Sequence, residues 1–416
     1  MTATPSEPAA NGLSARRAAV WLCVAWLVFV AWHPIFLGLQ GDDQWFFDKT
    51  QMTGPFTSAM FDAFVTHRED RSRPVWDVLY YLCSSIAGPS TLVLKLISAV
   101  LLLATMAAYY RGARSILASA RLRDRRLAVA AAVLWLVMPW TIVTKVSPSF
   151  VFSYVAALFF WPSACWFWRS VNQDRPAVLG PVLLQLLSYL TYEAFYFAYL
   201  VVLLFAAADL RRRRRSLRPL ILPALIFTLV QAAAAIFNRL AGSLKESQTL
   251  STVLGKWAYN LSLGALETLI ASTYLWAPVV LAAAVVLLVR ARHAMSTLDP
   301  ADARPIAGAL CWCGAGIVLG VGLYAIAGYS VSGRDGHATL TADFWLATVV
   351  AVGAGALAKS GAFRRPLTRW GAIAGAVALV ASMESRASEW MRAATSWRTT
   401  WSWRSSAWRC TSRRWT

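Results

Sequence analysis

Charge is what this chain has least of. Only 14% of its 416 residues are charged, while 58% are hydrophobic. A water-soluble domain of this length needs a more charged surface, so that class is excluded. The motifs of several common chemistries are also missing: there is no P-loop, no GxSxG, no HExxH and no CxxC. ATP-driven transport and zinc hydrolysis therefore have no sequence support. Cysteine is sparse: of six, Cys23, Cys83, Cys165, Cys311 and Cys313 lie in or beside apolar segments. Cys311-Trp-Cys313 has no second pair and no His nearby, so it reads as small buried hydrophobes. No cofactor and no metal ligands are expected, and nothing in the sequence supports a divalent cation.

What the chain has is long apolar blocks. They run 17–39, 89–110, 127–144, 151–168, 177–191, 194–210, 219–241, 266–289, 305–327, 340–358 and 369–384. About 20 residues of helix cross a hydrocarbon core of about 30 Å. In lipid such a block must be helical, because its backbone has no water to bond. The expected fold is all-α: a polytopic bundle of about eleven spans over residues 15–385. The stretches 127–168 and 177–210 are each too long for one span and are divided at Lys145–Ser149 and Thr191–Glu193. Residues 1–14 are polar and small and read as a disordered cytoplasmic start. The run after Arg16-Arg17 is too long for a signal-peptide core, so it reads as an uncleaved first span.

The net charge of +20 tests the orientation. With the N-terminus inside, the inner segments and Arg17 hold 23 Lys and Arg, including Arg211–Arg215, against nine in the outer loops. That is the positive-inside bias. A nucleic-acid partner would want the basic residues on one soluble domain, and there is none. Acidic residues are biased the other way. Seven of the 20 Asp and Glu fall between Asp42 and Asp77, in the long first outer loop, 40–88. Phe61, Phe64 and Val65, then Val75, Val78, Leu79 and Leu82, have helical spacing there, as expected of short interfacial helices. A smaller amphipathic stretch is Val253–Trp257. The tail from Trp390 to Thr416 holds six Trp and six Arg with no apolar period. We read 386–416 as atypical: either an interfacial segment with Trp and Arg in the headgroups or, as the preferred reading, the product of a shifted frame near Trp397.

Four constellations stand out. Gly41-Asp42-Asp43 sits at the outer mouth of the first span, where a carboxylate can act as a general base; the plain alternative is a solvated flank. Arg71-Ser-Arg73-Pro74, with Arg68 before and Asp77 after, is basic against the topological bias, and Arg binds phosphate bidentately. Thr191-Tyr192-Glu193 places a carboxylate at a hairpin tip, with Gln185 and Tyr189 on the same helical side. Ser332-Gly-Arg334-Asp335-Gly-His337 is a glycine-rich outer loop with a single cation, or simply a turn with an internal ion pair. Lys95, Asn238, Arg239, Glu267 and Asp343 are further polar residues at membrane depth, to which no role is assigned.

This layout resembles the GT-C superfamily of membrane glycosyltransferases, in particular bacterial members that decorate cell-envelope glycans. The likeness rests on Gly41-Asp42-Asp43 after the first helix, Ser72-Arg73-Pro74-Val75, the Tyr192-Glu193 hairpin and the Gly333-Arg334 loop. It covers about residues 17–385 in architecture and some 20 residues in motif. It implies a polyprenyl-phosphate-linked sugar donor, a glycan or lipid acceptor, and the inner membrane as location. Carried over, Asp42 or Asp43 is the base and Arg73 or Arg334 the phosphate contact, with Arg71, Glu193 and His337 as further substrate contacts. Where many members continue into further spans or an outer domain, this chain has its Trp/Arg tail. Two other classes compete: a glycan or lipid flippase, which predicts inverted repeats and charges at mid-depth, and an O-antigen-type polymerase.

Overall fold

The computed structural model describes residues 13–31, 74–87, 90–138, 148–171, 178–192, 195–240, 250–326 and 340–385. Every regular element among them is helical. In order these are α1 (Ala15–Trp26, continued by a π turn, Leu27–Ala31), α2 (Pro74–Ala87), α3 (Thr91–Ser119), α4 (Arg125–Val137), α5 (Pro148–Val171), α6 (Leu179–Thr191) and α7 (Tyr196–Arg212). Then follow α8 (Ile221–Leu240), α9 (Leu250–Leu261), α10 (Leu263–Thr273), α11 (Ala277–Thr297), α12 (Pro300–Ile326), α13 (Leu340–Lys359) and α14 (Pro366–Ser385).

Local chemistry sets the ends. Ser14 caps α1 by accepting from the Arg17 amide at 3.2 Å. Ser90 does the same for α3 through Val93, and Asp124 for α4 through Arg126. Each side-chain oxygen satisfies an amide that the first turn leaves bare. Pro74 opens α2, at a position where its missing N–H costs nothing.

Five helices among the described residues are long and apolar enough to cross a membrane: α3, α11, Pro300–Gly322 of α12, Thr341–Lys359 of α13, and α14. Leu179–Thr191, Arg218–Val230 and Leu263–Thr273 are apolar but shorter. The exposed side chains agree with lipid as the surrounding solvent. Leu275, Leu288 and Trp370 are 81%, 72% and 66% exposed. A surface of that kind on a soluble monomer would be an aggregation site.

The two long stretches are each divided, since α4 and α5, and α6 and α7, are separate helices, but α4 closes at Val137, ahead of the division expected at 145–149. Other boundaries differ too: α3 runs on to Ser119, past the span end expected at 110. The span expected at 266–289 is broken by a 3-10 turn, Tyr274–Trp276, and the long helix runs Ala277–Thr297. Pro278 is the reason: it has no amide to give a preceding turn but fits the first turn of a new helix. Glu267 consequently sits on the short α10, exposed, and accepts a 2.6 Å hydrogen bond from the Tyr259 hydroxyl.

The core is aromatic. Tyr109, Trp135, Tyr154, Phe160 and Phe344 are all fully buried. Trp135 stacks on Phe344 at 4.7 Å and meets Tyr154 edge-on at 5.4 Å. Helices come close where a side chain is small. Ala128, Ala131 and Ala132 of α4 are wholly buried, and Gly112 of α3 lies against the Trp161 ring. Small residues let backbones approach, which is how helices associate when lipid is as apolar as Leu.

Two ends of the bundle are distinct. At one, Arg125 donates to the Leu13 carbonyl at 3.3 Å, and Lys359 pairs with Asp302 at 2.7 Å. This arginine end gathers the start of α1, α4 and α12 and the close of α13. At the opposite end Phe29 packs by Val137 and Met383, and Trp76 clusters with Val155.

Candidate functional site

The seven residues expected to form a site are Asp42, Asp43, Arg71, Arg73, Glu193, Arg334 and His337. All lie outside the described residues. Their described neighbours along the chain fall in three apolar clusters. Phe29 closes the first helix beside Val137. Trp76, two residues into α2, packs on Val155 of α5. Phe195 opens the return helix of the hairpin and lies 6.2 Å from Phe344, in the first turns of α13. Tyr154, next to Val155, is 6.5 Å from that same Phe344. Phe195 and Phe344 thus belong to the buried aromatic core, where the Tyr109 hydroxyl, two residues before Arg111, donates to the Phe344 carbonyl at 2.7 Å, while Phe29 and Trp76 lie in separate clusters.

Polar groups are packed among these helices. Gln185 and Tyr189, expected on one helical side, are both buried, and the Gln185 amide donates to the Tyr189 hydroxyl at 2.6 Å. Asp343 is 2% exposed in the first turn of α13, where bare amides and the positive helix end favour a carboxylate. Lys95 is 6% exposed, one turn into α3. Neither Lys95 nor Asp343 is without a partner. On α2, burial pushes the Cys83 thiol up to about 11. It is protonated at neutral pH and is no nucleophile there.

A large cavity lies at the arginine end, where the sequence reading placed only topology. It is a cleft of about 800 Å³ between α3, α5, α7 and α12. Arg111 and Arg114 of α3 line it, with Arg121 in the turn after that helix. Arg169 enters from the end of α5, Arg212 and Arg213 from the end of α7, and Arg304 from the first turns of α12. Asp209 is the one acidic residue of the lining, and it pairs with Arg213 at 3.0 Å. Among the described residues none of the other six arginines has an ion pair. At about 1.5 Å per residue, Arg111 is some 30 Å along α3 from Thr91, so it emerges where a hydrocarbon core ends.

The floor is aromatic. Trp168 stacks on Phe205 at 4.5 Å, and Phe205 meets Trp312 edge-on at 5.0 Å. A second cavity of about 80 Å³ shares Trp168, Phe205 and Trp312 and runs on to Trp161 and Trp345 inside the bundle. Seven guanidinium groups offer forked donors suited to phosphate or carboxylate. A register argument on the sequence shows part of this: Arg111, Arg114, Ser115 and Ala118 fall on one face of α3. That the other arginines meet them depends on packing. Among the described residues no three His, Cys, Asp or Glu come together as a metal site.

Fold and composition thus define an all-helical protein with helices fit to span a membrane. Comparison with protein-family models, curated proteins and solved structures gives no match.

Proposed function

We propose that this chain is an enzyme of the bacterial inner membrane that moves a sugar from a polyprenyl-phosphate donor to a cell-envelope glycan or lipid acceptor. In this reading about eleven spans cross the bilayer, the N-terminus and the arginine end are cytoplasmic, and the loop 40–88 is outside. Helices α2 and α9 lie in the outer interface. One observation supports the reading: the helices that flank the four constellations pack into one bundle, α1 and α13 both against α4, and α2 against α6. Acidic and basic groups from distant segments are then available to one reaction.

The reaction is a displacement at the anomeric carbon. Asp42 or Asp43 takes the proton of the acceptor hydroxyl, and the freed oxygen forms the new bond to that carbon. The bond from carbon to the phosphate oxygen breaks, and the leaving phosphate keeps the electron pair. Arg73 or Arg334 stabilises its charge, with Arg71, Glu193 and His337 as further substrate contacts. No metal or other cofactor is invoked.

The test is a deletion strain whose envelope glycans are profiled by mass spectrometry. It is complemented with wild type or with an Asp42→Asn, Asp43→Asn variant at matched expression. The expected result is one sugar lost on deletion, restored by wild type and not by the variant. Equal restoration by both would remove the acidic pair from the chemistry and move a flippase or polymerase ahead.

A further inference from the structure

The arginine cleft plays no part in that transfer, which takes place at the other end of the bundle. Positive-inside bias explains why arginines flank these helices. It does not explain why seven of them surround one concavity with a single aspartate among them. Like charges gathered this closely repel, and a bound anion relieves the repulsion. The cleft, at about 800 Å³, is far larger than an inorganic anion requires and falls in the range of organic ligand sites. Its floor is not polar. Trp168, Phe205 and Trp312 separate the arginines from the apolar cavity that reaches Trp161 and Trp345. A ligand matching both parts is anionic at one end and hydrocarbon at the other. The depth agrees, because Arg121, Arg169, Arg212, Arg213 and Arg304 stand at or near helix ends and Arg111 lies about 30 Å along α3, where headgroups lie, and the cavity points into the bundle. Basic pockets between spanning helices on the cytoplasmic side are a known form of lipid phosphate site.

We propose that this cleft binds the phosphodiester headgroup of an anionic phospholipid from the cytoplasmic leaflet. Arg111, Arg169, Arg212 and Arg304 hold the phosphate, and the adjoining cavity takes the start of an acyl chain. The lipid clamps the ends of α3, α5, α7 and α12, which the like charges would otherwise push apart. The inference is independent of the sugar-transfer reading and stands or falls separately.

The test is native mass spectrometry on the full chain in a neutral detergent, titrated separately with dioctanoyl phosphatidylglycerol, dioctanoyl phosphatidylcholine and inorganic phosphate. One phosphatidylglycerol should bind at least about tenfold more tightly than the other two, a gap of about 1.4 kcal/mol. Raising the salt should weaken it, because the arginines are exposed. Two variants separate site from net charge. Arg111→Gln with Arg304→Gln should lower the affinity about tenfold, whereas Arg364→Gln with Arg365→Gln, at the same end but outside the cleft, should leave it unchanged. Gly308→Leu removes no charge. Gly308 lines the cleft, and a Cβ there meets nothing within 4 Å, so the helix tolerates the change while the new side chain fills the site. Loss of binding in a folded Gly308→Leu protein is the expected result. Phosphate binding as tightly as the lipid would overturn the proposal in favour of a soluble anion. Wild-type affinity in both the Arg111/Arg304 and Gly308 variants would reduce the arginines to topology signals.

Discussion

Helices α11 and α13 are similar in length and both are apolar enough to cross a membrane, yet they live in different surroundings. Only 11% of the α11 span window is buried, against 67% of that in α13. Hydropathy does not separate the two, because lipid and a protein interior are equally welcoming to an apolar side chain. Composition does. α11 is built from Ala, Val and Leu, whereas α13 carries Asp343, Phe344, Trp345 and Thr348. In α13 these aromatic and hydroxyl groups find partners in protein, so they mark the centre. Aliphatic runs suffice at the rim.

Truncating an aromatic at the centre should have the largest effect. Phe344 is 1% exposed and stacks on Trp135. Phe344→Ala leaves a cavity among Tyr109, Trp135 and Trp161 and should cost about 4 kcal/mol. Leu288→Ala, at a position 72% exposed on α11, should stay within about 0.5 kcal/mol. Unfolding in mixed micelles measures both, and equal losses would break the comparison.

The next effect separates a lipid-facing rim from a water-facing one. Leu288 is near the middle of α11. In hydrocarbon, Leu288→Asp costs about 3 kcal/mol of insertion free energy. In water it would be close to neutral. The share of protein recovered in the membrane fraction, with α11 tested as an isolated segment in an insertion assay, should fall accordingly. Undiminished insertion would remove α11 from the set of spans.

Glycines sharpen the contrast on a smaller scale. Gly316 of α12 lies against the Trp345 ring, so Gly316→Ala forces two packed helices apart and should cost about 2 kcal/mol. Gly353, on α13 itself, has nothing within 4 Å of an added Cβ. There Gly353→Ala should be neutral or stabilise by up to about 1 kcal/mol, because the unfolded chain loses freedom. Thermal melting of the two variants side by side checks the pair. The same sign for both would mean that helix propensity, not packing, governs these positions.

Much of the fold is legible before any coordinates. Blocks of about 20 apolar residues announce helices, and the division expected at Thr191–Glu193 falls where α6 ends, whereas α4 ends at Val137, ahead of the one expected at Lys145. The break before Ala277 was legible in Pro278, but an unbroken apolar stretch outweighed one residue. The centre was not legible. Tyr109, Trp135, Tyr154 and Phe344 are separated by up to 235 residues, and nothing local says that they meet. The arginine cleft failed to show for a related reason. Each Arg at a helix end has a sufficient topological explanation by itself, and only the packing of α3, α5, α7 and α12 turns separate signals into one concavity. The residues expected to carry catalysis lie outside the described ones, so only their frame can be compared with the expectation.

The smallest effect probes how the centre holds α13 in register. The Tyr109 hydroxyl of α3 donates to the Phe344 carbonyl at 2.7 Å and is 2.9 Å from the Thr348 hydroxyl. Thr348 also reaches the Phe344 carbonyl, at 2.9 Å. Tyr109→Phe keeps the ring and its contacts with Trp135, Trp161 and Phe344. It removes one of two hydroxyls serving the same acceptor. The carbonyl is therefore not orphaned, and the loss should stay near about 0.6 kcal/mol, the size of an average interhelical hydrogen bond in a membrane protein. Thr348→Ala alone should cost as little, for the same reason. The double variant leaves the carbonyl without either hydroxyl and should cost more than the sum of the two. Such coupling, read from a double-mutant cycle in mixed micelles, identifies a shared acceptor. Strict additivity would mean that aromatic stacking alone sets the register of α13, with the hydroxyls incidental to it.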